Sequence, residues 1–227
     1  MTDEANKGLD KPWPHVDQSP TRPWLHAIQG IVNLAENGPL DGGLTVFRGS
    51  KEHFEELFAT FADRMPDGGW SGDDWYQHDP VMLDWLKSKG CYWEKICAPP
   101  GSLILWDSVG LSLFSLPLHP HRRLTSLPLA PLQRAVHYGA VPLSKTARVA
   151  AYVCYKPASM ASDAVYATKQ EAFVKLSGTS HDPISFRVRP MKPEVEDDAA
   201  WAKIKDNLPA PPKLTAVGRK LAGLDRY

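Results

Sequence analysis

The chain has 227 residues, within reach of one domain with appendages. Its 26 basic and 26 acidic residues cancel, which argues against a basic face for nucleic acid. Hydrophobic content of 43% with 23% charged residues is that of a globular chain, and no run is long enough for a membrane span. Proline, 21 of 227, is nearly twice the average usage of about 5%, which suggests short strands joined by punctuated turns. The start, MTDEANKGLDKPWP, is acidic and polar and reads as no secretory signal. Three cysteines cannot pair fully, so reduced, mostly buried thiols in a cytoplasmic chain are expected.

Prolines 12, 14, 20 and 23 make the opening loop-like. Residues 27–34 and 44–47 then read as strands, separated by Asn37-Gly38-Pro39 and Asp41-Gly42-Gly43, and a hairpin-like pair is expected. Ser50 is placed to cap a helix whose Phe54, Leu57, Phe58 and Phe61 form one apolar stripe. Asp79 as cap and Pro80 in the first turn open a second helix, closed by Gly90. Strands follow at 92–97 and 103–106, with Trp106 and Asp107 expected in packing and turn roles. The clearest strand is RVAAYVCY at 148–155, where Arg148, Ala150, Tyr152 and Cys154 share one face. Helices are expected at 163–175, near 194–207 and at 215–223.

Residues 109–133, VGLSLFSLPLHPHRRLTSLPLAPLQ, differ in composition: eight leucines and four prolines with no acidic residue leave no sustained period of 2 or 3.6.

The chemistry-bearing pattern is His15-Val16-Asp17, which puts an imidazole and a carboxylate on one side of an extended segment. A second histidine from a distant strand completes a two-histidine, one-carboxylate metal site with open positions, and His137 in RAVHYG is that candidate. Arg148 lies eleven positions beyond it, and its fork-shaped guanidinium suits a carboxylate partner. Gln29 and Asn33 share a strand face and are candidates to reach a cosubstrate, although the opposite face is equally open on sequence grounds. His119 and His121 have no acidic neighbour and are not expected as ligands. His26, His53 and His78 are expected at the surface or partly satisfied.

The ordered set PWPHVDQSP, QGIVNL, NGPLDGGLTVFRGS, PGSLILWDS, RAVHYG and RVAAYVCYKPA resembles the 2-oxoglutarate- and Fe(II)-dependent dioxygenases, in their phytanoyl-CoA dioxygenase-like branch. GTSH, ending at His181, and LTAVGRKLAGL are similar to later parts of that branch. The resemblance runs from about Leu9 onward. It implies a mainly β protein with flanking helices, a double-stranded β-helix (jelly roll) incomplete at the N-terminus, since members of the family carry much more sequence before the HxD. It also implies Fe(II) held by His15, Asp17 and His137, with Arg148 and Gln29 on 2-oxoglutarate. With O2, the implied reaction hydroxylates a small organic molecule and releases succinate and CO2. A partial jelly-roll core at 1–160 and a helical extension at 161–227 are expected, with no nucleic-acid or membrane partner and the oligomeric state open.

In the family, PGSLILWDS runs almost directly into the residues before the distal histidine, so 109–133 interrupts a continuous motif. The valine codon at its start begins GT and the glutamine codon at its end can finish AG, as a translated intron would; a substrate-covering loop is the alternative. A non-catalytic remnant and a cupin-like metal protein with redox-neutral chemistry stand beside the oxygenase reading.

Overall fold

The computed structural model describes residues 12–21, 27–65, 70, 76–107, 110–117, 135–180, 182–189, 202–203, 207 and 210–227, with backbone alone over 106–107 and 110–117. It divides into two compact units, Met1–Cys154 and Tyr155–Tyr227.

The first unit is built on two antiparallel sheets. In chain order its strands are β1 (His15–Val16), β2 (Ile28–Asn33), β3 (Gly43–Arg48), β4 (Tyr76–Gln77), β5 (Tyr92–Lys95), β6 (Ser102–Asp107), β7 (Gly110–Pro117), β8 (His137–Ala140) and β9 (Ala150–Tyr155). One sheet has the order β4-β1-β8-β3-β5 and the other β7-β6-β2-β9. Among the described residues neither closes into a barrel. Ile31 and Ile104 from the second sheet pack with Leu44 and Val46 from the first in one buried cluster, so the two sheets share a core.

Strand alternation divides the first sheet's residues between two environments. Val46 faces the inter-sheet cluster, while its neighbour Phe47 joins Val16 and Val136 in a second cluster with α1 (Phe54–Thr60) and α2 (Pro80–Ser88). Phe54, Leu57 and Phe58 of α1 and Met82 and Leu86 of α2 are buried there. Each such side chain contributes about 1.5–3 kcal/mol, and together they hold the strand ends that carry His15 and His137.

Several expectations change in three dimensions. The pair expected from 27–34 and 44–47 is no hairpin, because β2 pairs with β6 while β3 pairs with β5 and β8. Residues 34–42 instead carry the chain from one sheet to the other. Ser50 is not a cap: a turn of 3-10 helix, Ser50–His53, precedes α1, and the Ser50 hydroxyl is used across the sheet. The second helix is as expected, with the Asp79 carboxylate accepting from Val81 and Met82 N–H and Gly90 at φ 90° after its end. Trp106 and Asp107 lie inside β6, and β9 starts at Ala150, which leaves Arg148 outside the strand. Of the free cysteines only Cys91 is buried; Cys154 is half-buried and Cys97 is exposed.

Within 109–133, Gly110–Pro117 is a strand, against the expectation of no usable period. It pairs antiparallel with β6, Asp107 opposite Gly110 and Ser102 opposite Pro117. The register shifts between Leu103 and Leu105, where LSLFSL breaks its own alternation; a bulge absorbs the extra residues. Of the helix expected near 194–207, the described residues 202–203 are helical; the remainder of 109–133 and His26, His119, His121 and His181 lie outside the described residues.

The second unit holds α3 (Asp163–Val174), the ribbon β10 (Gly178–Thr179) with β11 (Val188–Arg189), and α4 (Ala216–Leu221). Ser162 caps α3 and Thr215 caps α4. The Gln170 amide donates to the Leu224 carbonyl at 2.7 Å, and Lys156 pairs with Asp182, whose carboxyl is held down to about 2 by that lysine and two backbone N–H groups against the opposing effect of burial. No helix among the described residues is long and apolar enough to cross a membrane.

Candidate metal centre

The site forms where β1 and β8 pair. His15 lies directly opposite His137, and His137 lies opposite Val46, whose side chain faces the inter-sheet core. Both imidazoles therefore project from the same sheet face, and their ring centroids are 4.4 Å apart. Asp17 follows β1 and turns its carboxylate between them: Oδ1 is 3.3 Å from His15 Nε2, and Oδ2 is 3.2 Å from His137 Nε2. All three residues are buried, and one ligand atom from each lies within 4.8 Å of the others. The three residues expected as metal ligands are thus brought together from positions up to 122 apart.

Both histidines are oriented in the same way. His15 Nδ1 is 3.0 Å from the Trp13 carbonyl and His137 Nδ1 is 3.2 Å from the Ala135 carbonyl, in each case two residues back. A carbonyl only accepts, so Nδ1 carries the hydrogen and Nε2 is the atom turned towards Asp17. The Trp13 indole stacks on the His15 ring at 4.3 Å, with planes 2° apart. Sequence reasoning did not select Trp13; its signal is an aromatic residue two positions before His15 on an extended segment.

Burial works to raise the Asp17 carboxyl, but hydrogen bonds and charge from His137 and His15 outweigh it and hold the group well below the usual carboxylate range. Burial likewise works to lower His137, and the Asp17 carboxylate and the Ala135 carbonyl raise it on balance. This geometry holds a proton or a cation. Two imidazole nitrogens and one carboxylate oxygen in a buried cluster fit a divalent metal such as Fe(II), with coordination positions left over.

The other candidates are placed differently. Gln29, on β2, donates from Nε2 to Asp17 Oδ2 at 2.8 Å. The Asn33 amide donates to the carbonyls of Ala35 and Ala98 at 2.6 and 2.7 Å and so ties a turn together rather than joining the centre. Arg148 packs against Gly43, which pairs with Ala140 on the strand that begins at His137. Its guanidinium lies over the Tyr152 ring, 5.8 Å from the centroid. His53 is partly exposed and 3.3 Å from Glu56, as expected.

His78 is not at the surface. It follows β4, its backbone N–H donates to the Pro14 carbonyl, and its ring is 3% exposed between Phe58 and Tyr76. Neither ring nitrogen has a hydrogen-bond partner among the described residues. Burial, together with the nearby His15 charge, pushes its pKa down to about 3. The aromatic packing of Phe58 from α1 and Tyr76 from β4 buries it.

No family model matches the chain, and no solved structure matches it. Among curated proteins it is similar to the Ava biosynthesis cluster protein O of Aspergillus versicolor, 36% identical over 101 residues. That match spans 43% of this chain and 32% of the relative, so the chain aligns with about a third of that protein's length.

Proposed function

We propose that the chain is an Fe(II)- and 2-oxoglutarate-dependent dioxygenase that hydroxylates a small organic molecule with release of succinate and CO2. The observation that carries this reading is the buried His15–Asp17–His137 cluster, with both Nδ1 atoms tied to backbone carbonyls. Similarity to a protein named for a biosynthesis cluster supports an enzymatic role on a small molecule. In this reading the two sheets are the halves of a double-stranded β-helix.

Fe(II) bound there supplies a redox-active centre with positions open for the cosubstrate and dioxygen. The chain's own residues do the rest. The Trp13 and Ala135 carbonyls keep each imidazole in the tautomer that offers Nε2. Burial of the cluster strengthens each electrostatic contact and keeps bulk water away. Arg148 is the proposed partner of the far carboxylate of 2-oxoglutarate. A cation–π contact with Tyr152 and the absence of a side chain at Gly43 set its position.

The test is an anaerobic titration of the full chain with Fe(II) and 2-oxoglutarate, followed by succinate analysis in air. A weak visible charge-transfer band and iron-dependent succinate are expected, and both are lost in His137→Ala. Succinate formation unchanged by that substitution, or no band in the unsubstituted chain, overturns the assignment.

A further inference from the structure

The Asp17 carboxylate has two oxygens, and the structure treats them unequally. Each oxygen faces one histidine, Oδ1 at 3.3 Å from His15 Nε2 and Oδ2 at 3.2 Å from His137 Nε2, but Oδ2 alone also accepts from Gln29 Nε2, at 2.8 Å. A carboxylate only accepts, so the Gln29 amide must present its NH2 group, and the bond is charge-assisted. It is formed at a site where Gln29 is 6% and Asp17 8% exposed, with little water to replace it.

Gln29 is also held from behind. It sits on β2 opposite Trp106 of β6, flanked by Ile28 opposite Asp107 and Gly30 opposite Leu105. The Cβ that Gly30 lacks would fall 2.8 Å from Leu105 Cδ2, so the strands approach closely at this point. The amide thus reaches from one sheet to a carboxylate carried by the other, and its anchor is a paired strand rather than a loop.

We propose that Gln29 is a positioning residue for the metal centre: by holding Oδ2 it fixes the rotation of the Asp17 carboxylate, keeps it a one-oxygen ligand and preserves the coordination position that a second oxygen would take. This rests on the metal reading above and replaces the expectation that Gln29 touches 2-oxoglutarate. Without the amide, the carboxylate is free to turn about its last torsion and bind through both oxygens, which closes a position the cosubstrate needs. Outer-shell partners of this kind typically change metal affinity or activity about 10- to 100-fold when removed.

The experiment uses Co(II) as the probe, because its visible bands report coordination number. The full chain, Gln29→Leu and Gln29→Ala are compared; leucine keeps much of the volume, and alanine avoids any clash should leucine not fit. The expected result is folded variants with Co(II) affinity weakened about 10- to 100-fold and a changed visible spectrum at saturation. Affinities within threefold of the unsubstituted chain, with an unchanged spectrum, overturn the positioning role while leaving the metal reading intact. A lower melting temperature with an unchanged spectrum also overturns it, since that marks a merely structural residue. Absence of Co(II) binding in the unsubstituted chain, or binding retained in His137→Ala, overturns the metal reading and this inference with it.

Discussion

Ser50 joins β3 to the residue before His137, and removing its hydroxyl is a direct test of how the centre is supported. Its Oγ donates to the Phe47 carbonyl at 2.6 Å and accepts from the Val136 N–H at 2.9 Å, and the Phe47 N–H closes the ring on the Val136 carbonyl at 2.8 Å. The residue is 1% exposed, and Phe47 and Val136 are equally buried. Ser50→Ala therefore leaves the Val136 N–H without its partner where water does not reach. An orphaned buried donor costs about 1–3 kcal/mol. Alanine adds almost no apolar area to offset it. For a chain of this size, each kcal/mol moves the melting temperature by about 2–4 °C, so a fall of about 2–12 °C is expected. Urea unfolding followed by tryptophan fluorescence reads the change, since Trp85 and Trp93 pack against this cluster. Ser88→Ala is the control: that hydroxyl bonds to the Trp85 carbonyl at an exposed helix end, and its loss is expected to stay within about 0.5 kcal/mol. If Ser50→Ala proves no more costly than Ser88→Ala, the argument that this hydroxyl pins β8 is wrong.

Two further outcomes follow from the same packing. His78 resists protonation down to about 3 while its unfolded form takes a proton near 6.5, so folding stability is full above 6.5 and falls as the pH drops towards 3. His78→Phe removes that loss; its advantage over the unsubstituted chain in urea unfolding is expected to grow by about 1.4 kcal/mol per pH unit below 6.5, and parallel pH profiles would refute the buried assignment. At Gly43 the backbone sits at φ 90°, and an added Cβ would lie 2.7 Å from Arg148 Nε. Gly43→Ala is therefore expected to displace the guanidinium and weaken 2-oxoglutarate binding about 10- to 100-fold, as loss of hydrogen bonds to a charged group does, with Co(II) affinity unchanged. Equal 2-oxoglutarate affinity by calorimetry would remove Arg148 from the proposed site.

The parts of the centre that were legible in the sequence are those set by short-range geometry. The HxD spacing on a proline-flanked segment marked His15 and Asp17 as a pair, although Asp17 lies just past β1 and it is the bend there that turns its carboxylate to the histidines. Asp79 and Pro80 announce α2 because capping is satisfied within one turn. Ser50 shows where that local rule fails. A serine before an apolar stripe is a cap unless a buried N–H from elsewhere competes for it, and here the competitor is 86 residues away. The interrupted pattern of 110–117 fails in the opposite sense, because a bulge in the hairpin with β6 accommodates what strict alternation would reject.

The sequence by itself determined the strand-and-turn character, the start of α2 and the residue types of the candidate metal donors. Each depends on residues within a few positions of one another. Only the tertiary structure decided that β2 and β3 part company into different sheets, and that His15 faces His137 across a strand pair. It likewise decided that Gln29 lies on Asp17 and that His78 is buried among aromatic rings. These are matters of register and packing between distant segments. A shift of one residue would turn every ligand to the opposite face, so the choice is made by burial of Val16, Phe47 and Val136 against the helices, and no local pattern encodes it.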